Sequence, residues 1–354
     1  MKVAHFCRFS PNKSGQYGTV KDLIKAERKQ GIDARFVTTL EQPPFYEPDI
    51  KHKDGWMETD TLEEAKDADI YVQHTMVPPD LKKADKPVVF VLHGRPENSF
   101  MLGHLGRIPV YKAISEAHLK GECQIFVTFW EEFLYHWSML IDKSILKYVP
   151  ALVDLDKYSP VGEVFDFGQL GGSPNLLIAD LWREDTTPYN IMHAACYYRD
   201  HYEPKAKVHI FGYPEQKHWP TSFLGGTMQS KGYIGHIGTV TPWIDRVYRA
   251  ADIVITPHRI ATRVVREAAA CNTPVVSGRC VEDDVNLHVG DDVLSSWGAD
   301  PRDYKAYAEQ IHKCWQSIQA RGDKQDNTPR IYAEKMYNGD ETGKAMKKIF
   351  EDLL

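Results

Sequence analysis

The segment 250–278, reading AADIVITPHRIATRVVREAAACNTPVVSG, concentrates more potential chemistry than any other part of this chain. A short apolar run, Ile253 to Ile255, ends at Pro257, and a helix is expected to open near Thr262 and to carry Glu267 in its first turns. Small residues Ala268, Ala269, Ala270 and Cys271 follow, then a tight Asn272–Thr273 turn and a second strand over Pro274 to Ser277. Strand, polar loop, helix start and strand together build a ligand crevice at the carboxyl end of a parallel sheet. A helix start offers free N–H groups and the positive end of the peptide dipole, which suits a diphosphate. Thr262, Arg263 and Val264 lie at that start, and Glu267, a turn further in, is placed to accept hydrogen bonds from a ribose diol. Arg259, Arg263 and Arg266 make the loop basic, fitting a diphosphate or an acidic group on a ligand.

Three further places could do chemistry. Ser14-Gly15-Gln16-Tyr17-Gly18-Thr19 follows a first strand and opens a helix, so glycine allows close approach to a bound group at a helix end that favours negative charge. The loop lacks the G-x-G-x-x-G order of a dinucleotide fold, which discounts NAD. His93-Gly94 ends the apolar run Val88 to Leu92, where a polar residue is aimed at the crevice. Asp180 to Asp185, with Arg183, follows another strand, Leu176 to Ala179. Each has a plainer reading as well: a simple turn, a structural histidine, a solvated basic face. Asp154-Leu155-Asp156 looks like a metal-binding D-x-D, but its place between two halves of the chain argues for a structural role. The chain holds no H-E-x-x-H, P-loop or G-x-S-x-G.

The elements that must position these residues alternate regularly. Val3 to Phe9, Ala34 to Thr38, Ile70 to Gln73, Val88 to His93 and Gln124 to Thr128 read as strands, each followed by helix-like sequence. A helix with apolar spacing at Val20, Leu23, Ile24 and Ala26 is expected to stop at Gly31. A second run holds strands Leu176 to Ala179 and Lys207 to Phe211, a helix near Tyr189 to Tyr198, and a helix over Tyr304 to Gln319. Arg321 to Pro329 reads as a polar break and Glu341 to Leu354 as a final amphipathic helix. Glu41 to Gly55 looks like a surface excursion and Gly168 to Ser173 like a flexible joint. Such alternation predicts an α/β protein of two doubly wound, Rossmann-like domains. The expected bounds are 1–155 and 156–330, with 331–354 as a terminal helix.

Composition agrees with a globular protein of two domains. At 354 residues the chain suits two domains rather than one. A net charge of −6 excludes a generally basic nucleic-acid binder, though not a local basic groove. The six cysteines are scattered with no C-x-x-C pair, which argues for a reducing compartment and against a disulfide framework or zinc site. Neither a signal peptide nor an apolar run of about 18 residues is visible, so the reading is a cytoplasmic protein without a transmembrane segment.

The wording EAAACNTPVV around Glu267 resembles the nucleotide-binding segment of GT-B glycosyltransferases, especially the large retaining family 4. The first loop, His93-Gly94, Arg183 and the interdomain run Tyr148 to Pro160 resemble further family features, in the family's order. The resemblance implies two Rossmann-like domains facing a cleft, with the terminal helix crossing back to the first. It implies transfer of a sugar from a nucleotide diphosphate sugar (UDP or GDP) with retention, the leaving phosphate taking the acceptor proton, and no cofactor or metal. On that basis His93, Arg183 and Arg259 are expected to be catalytic. Gly15, Gln16, Tyr17, Thr262, Arg263, Val264 and Glu267 are expected to bind the nucleotide sugar. The family's first acid of an E-x7-E pair falls here at Arg259, and no lysine follows Arg183 before Tyr189; Ala151-Leu152 replaces the usual Asn-Gly. Acceptor and sugar stay open: a glycan, a small molecule or, as in viral enzymes, a modified DNA base. A GT-B-like epimerase, for which Glu131 and Glu132 are the tempting pair, and a nucleotide-sugar-binding protein with a decayed site are the alternatives.

Overall fold

The computed structural model of the chain describes residues 1–7, 15–38, 59–60, 64–74, 86–94, 118–180, 189–211, 223–238, 243–258, 261–278, 297–321 and 327–354. Two compact units divide it: Met1–Leu152 together with Met336–Leu354, and Val153–Lys335.

In the first unit, strands β1 (Lys2–Cys7), β2 (Asp33–Thr38), β3 (Thr59–Asp60), β4 (Ile70–Gln73), β5 (Val88–Leu92), β6 (Ile125–Thr128) and β7 (Leu146–Tyr148) form one parallel sheet. Its order is β3-β2-β1-β4-β5-β6-β7. Val3 to Cys7, β4 and β5 are buried throughout, as expected of strands covered on both faces. Helix α1 (Gly15–Lys29) joins β1 to β2 and ends where Gly31 takes φ +80°, a left-handed residue that stops the helix. Helix α2 (Glu131–Ser138) follows β6.

The second unit repeats the plan. Strands β8 (Asn175–Ile178), β9 (Lys207–Phe211), β10 (Ile234–Gly238), β11 (Ile253–Ile255), β12 (Val275–Gly278) and β13 (Gly298–Ala299) lie in the order β10-β9-β8-β11-β12-β13, again parallel. Helices α3 (Tyr189–His201), α4 (Phe223–Ser230), α5 (Ile244–Ala250), α6 (Arg263–Ala270) and α7 (Tyr304–Arg321) connect or flank them. Its core packs Ile178, Ile210, Ile253 and Ile255 of the sheet against Tyr198 of α3 and Tyr307 and Ile311 of α7. In both units strand order reverses beside the first strand, between β1 and β4 and between β8 and β11. Ligands of open α/β sheets bind at the carboxyl ends of strands at such a switch point.

Two expectations need correction. Gly168 to Ser173, expected as a flexible joint, is packed within the second unit, where a Cβ on Gly172 would stand 2.5 Å from Lys207 Cγ and 2.6 Å from the Lys205 carbonyl. Glycine serves close packing there. Beyond the polar break, helix α8 (Thr328–Met336) was not anticipated. Pro329 sits in its first turn, where a missing N–H removes no helical bond. From α8, Arg330 Nη1 reaches the carbonyls of Tyr158 (2.6 Å), Ala270 (2.9 Å) and Leu155 (3.3 Å), binding the start of the second unit to the end of α6.

Helix α9 (Gly339–Glu351) belongs to the first unit. Asn338 caps it by accepting from the Asp340 N–H at 2.9 Å, and Met346 and Phe350 are fully buried. Burying each such side chain contributes roughly 1.5–3 kcal/mol. Gly343 rests on α1, where a Cβ would lie 2.6 Å from the Ala26 carbonyl oxygen, and Thr342 Oγ1 donates to the Pro150 carbonyl at 3.0 Å. Among the described residues, no helix is long and apolar enough to cross a membrane.

Candidate functional site

At the second switch point, β8 leads to Asp180 and β11 to His258, and the two side chains meet: His258 Nε2 lies 3.1 Å from Asp180 Oδ1. Asp180 is 2% exposed. Sequence reasoning missed His258 as Asp180's partner; the signal available was a polar residue just past each of two strands. Tyr307 pins the same edge, its hydroxyl lying 2.6 Å from the Val276 carbonyl and 2.9 Å from that of Thr256 while accepting from Thr256 N–H. Gly278 N–H donates to the His258 carbonyl at 2.9 Å, which closes the loop against β12.

Thr262 is the N-cap of α6, with extended backbone (ψ 172°) and no side-chain cap bond, and the first turn carries no acid. The Thr262 side chain does not cap the first N–H groups of α6, and a helix start of this kind suits an anion. Arg263 and Val264 follow, half-buried. Glu267 is 4% exposed and already engaged on both oxygens: Oε1 pairs with Arg263 Nε at 2.5 Å, and Oε2 accepts from the Tyr248 hydroxyl at 3.0 Å. Burial and the Glu267 charge hold the Tyr248 phenol well above its usual range, so it stays a donor. Tyr248 also accepts, through its carbonyl, from Thr273 Oγ1 at 2.6 Å, tying the turn after α6 to the residue that holds Glu267. Asn272 takes φ +61° in that turn, a conformation asparagine tolerates. The Arg263 guanidinium in turn lies over the Tyr158 ring, 5.7 Å from its centroid. Arg183 and Arg259 lie outside the described residues.

In the first unit, His93 follows β5 and is half-buried, and Gly94 turns the chain with φ +148°. Trp137 of α2 donates to the Gly94 carbonyl at 2.9 Å, fixing that turn. The His93 ring touches His74, beyond the neighbouring β4: His93 Nε2 lies 2.8 Å from His74 Nδ1. Gly15 opens α1 at the surface, while Gln16 Nε2 donates to the His74 carbonyl at 2.6 Å. Tyr17 is 5% exposed, edge-on to Phe36, so its ring serves the core. Gln16, in the first turn of α1, and His93 are thus both joined to His74, the residue after β4, at the β1/β4 switch point. Glu131 lies exposed at the start of α2. Asp154 Oδ1 accepts from the N–H groups of Asp156 and Lys157, both at 3.2 Å, shaping a turn.

The family model for glycosyl transferases group 1 matches residues 182–317, a span that includes Arg183, Arg259 and Glu267. Comparison with curated proteins yields no match. Among solved structures, Anabaena HepE in complex with UDP and glucose aligns over 100% of both chains with TM-score 0.71 and 14% identity. Sucrose-phosphate synthase from Thermosynechococcus elongatus aligns over 99% of this chain and 98% of its own, with TM-score 0.67 and 14% identity. A glycosyltransferase from Rickettsia africae covers the same shares with TM-score 0.65 and 12% identity. Two parallel, doubly wound sheets give this chain the GT-B fold of these structures, and its segment 182–317, which carries the Glu267 helix, matches the glycosyl transferases group 1 model.

Proposed function

We propose that the protein is a retaining transferase that takes a sugar from a nucleotide diphosphate donor, UDP being favoured over GDP, without a bound metal. The observation that carries this reading is α6: a helix start that the Thr262 side chain does not cap, one turn before a buried carboxylate, inside the group 1 segment. UDP is favoured because HepE, of similar fold, is solved with UDP and with UDP-glucose. Binding exchanges partners. The ribose hydroxyls take Glu267 Oε1 from Arg263, and the freed guanidinium turns to the diphosphate, for which its planar fork is suited. The diphosphate, once neutralised, leaves and accepts the acceptor's proton, so the reaction needs no protein nucleophile. Calorimetry with UDP in the presence of a chelator tests the binding, and proton NMR of the first sugar released from UDP-glucose tests the stereochemistry. Binding that requires divalent cation, or release of the inverted anomer, would refute the reading.

Arg183 and Arg259 are proposed to complete the charge neutralisation that a lysine would otherwise supply. Guanidinium only donates, so at position 259 it cannot accept from sugar hydroxyls as a carboxylate would, and its charge and fork suit phosphate. Arg259→Glu is expected to lower UDP-glucose turnover about tenfold by placing negative charge beside the leaving group. A variant with equal or faster transfer would make Arg259 a solvated loop residue.

A further inference from the structure

Four side chains of the first unit form one continuous row. Glu27 Oε2 lies 2.7 Å from His5 Nε2, His5 Nδ1 lies 3.0 Å from His74 Nε2, and His74 Nδ1 lies 2.8 Å from His93 Nε2. Glu27 comes from α1, His5 from β1, and His74 and His93 from the carboxyl ends of β4 and β5, so the row crosses three adjacent strands. Glu27 and His5 are fully buried and His74 is 3% exposed; His93 alone of the four reaches the surface of the unit.

Donor and acceptor roles along this row are not independent. A neutral imidazole has one N–H and one lone pair, and a carboxylate only accepts. With Glu27 as the acceptor, His5 carries its proton on Nε2 and accepts at Nδ1. His74 then donates from Nε2 and accepts at Nδ1, and His93 donates from Nε2. Glu27 Oε1 has no hydrogen-bond partner among the described residues, so His5 is the contact through which this carboxylate acts. Burial, with His93 and His5 beside it, holds the His74 imidazole well below the usual histidine range, and it relays as a neutral ring.

We propose that Glu27, acting through His5 and His74, fixes the proton of His93 on Nε2, so that His93 meets the donor sugar with an unprotonated Nδ1 that accepts a hydrogen bond. Which ring nitrogen of a histidine carries the proton is set by the bond the other nitrogen makes, and here that bond is set three side chains away. Glu27, His5 and His74 are positioning residues, and the inference rests on the reading of His93 as a sugar contact.

Nitrogen-15 NMR of the full-length chain labelled at histidine tests it, with the His93 signals identified by their loss in His93→Ala. The wild type is expected to show His93 protonated on Nε2 and bare on Nδ1. Glu27→Gln keeps the shape of the side chain, but its amide both donates and accepts, so the constraint is lifted. A population of His93 protonated on Nδ1 is expected to appear, and kcat for UDP-glucose hydrolysis to fall about tenfold with UDP affinity unchanged. The same His93 tautomer in both proteins, or unchanged kcat in Glu27→Gln, would overturn the proposal. So would a wild-type spectrum with Nδ1 protonated, which decides the matter even if the variant does not fold. Normal turnover of His93→Ala would instead remove His93 from the sugar site while leaving the tautomer result standing.

Discussion

Glu267→Gln is expected to weaken UDP binding about ten- to a hundredfold, or about 1.5–3 kcal/mol, the range for a hydrogen bond to a charged group. The substitution is isosteric, so Tyr248 keeps an oxygen to donate to, and the packing of Ala268 to Ala270 is untouched. What it removes is charge: the ion pair with Arg263 and the second carboxylate oxygen. Tyr248→Phe is the control, since it deletes a neighbouring hydroxyl and leaves the carboxylate, and its effect on UDP should be smaller, about threefold to tenfold. Calorimetry on folded protein, with thermal melts alongside, separates affinity from stability. An unchanged UDP dissociation constant in Glu267→Gln would end the assignment of this carboxylate to the ribose.

His93→Ala is expected to do the opposite, lowering kcat for UDP-glucose about a hundredfold while leaving UDP affinity intact. The separation follows from the fold, because the helix start and carboxylate assigned to the nucleotide belong to the second unit and His93 to the first. Its ring is held by His74 and its turn by Trp137, so it is oriented before any ligand arrives. Loss of UDP binding in proportion to kcat would show that His93 contacts the nucleotide, and normal kcat would make it a structural residue.

Much of the fold was legible because strands buried on both faces must be apolar along their whole length. Ile70–Gln73, Lys207–Phe211 and Ile253–Ile255 appear where the apolar runs place them. The Glu267 helix was equally visible, since loop, helix start and small residues are contiguous in sequence. What was not visible is whatever the sheet assembles. Glu27, His5, His74 and His93 are separated by 22, 69 and 19 positions along the row, and no periodicity links them. A histidine inside the apolar strand Val3 to Cys7 was the one available signal, because a buried polar group needs a partner. The Arg263–Glu267 pair shows another limit: both residues were read as ligand contacts, yet their i, i+4 spacing also lets them bind each other.

The order in which this chain is synthesised differs from the order in which its units are completed. A ribosome that has reached Lys335 has made the whole of the second unit, while the first still lacks α9. Until Gly343 settles on Ala26, the face of α1 next to Glu27 has no cover from this helix. A nascent protein can therefore acquire its nucleotide-side helix before the sheet that bears His93 is sealed, with α9 as the late fastening of an early-made domain.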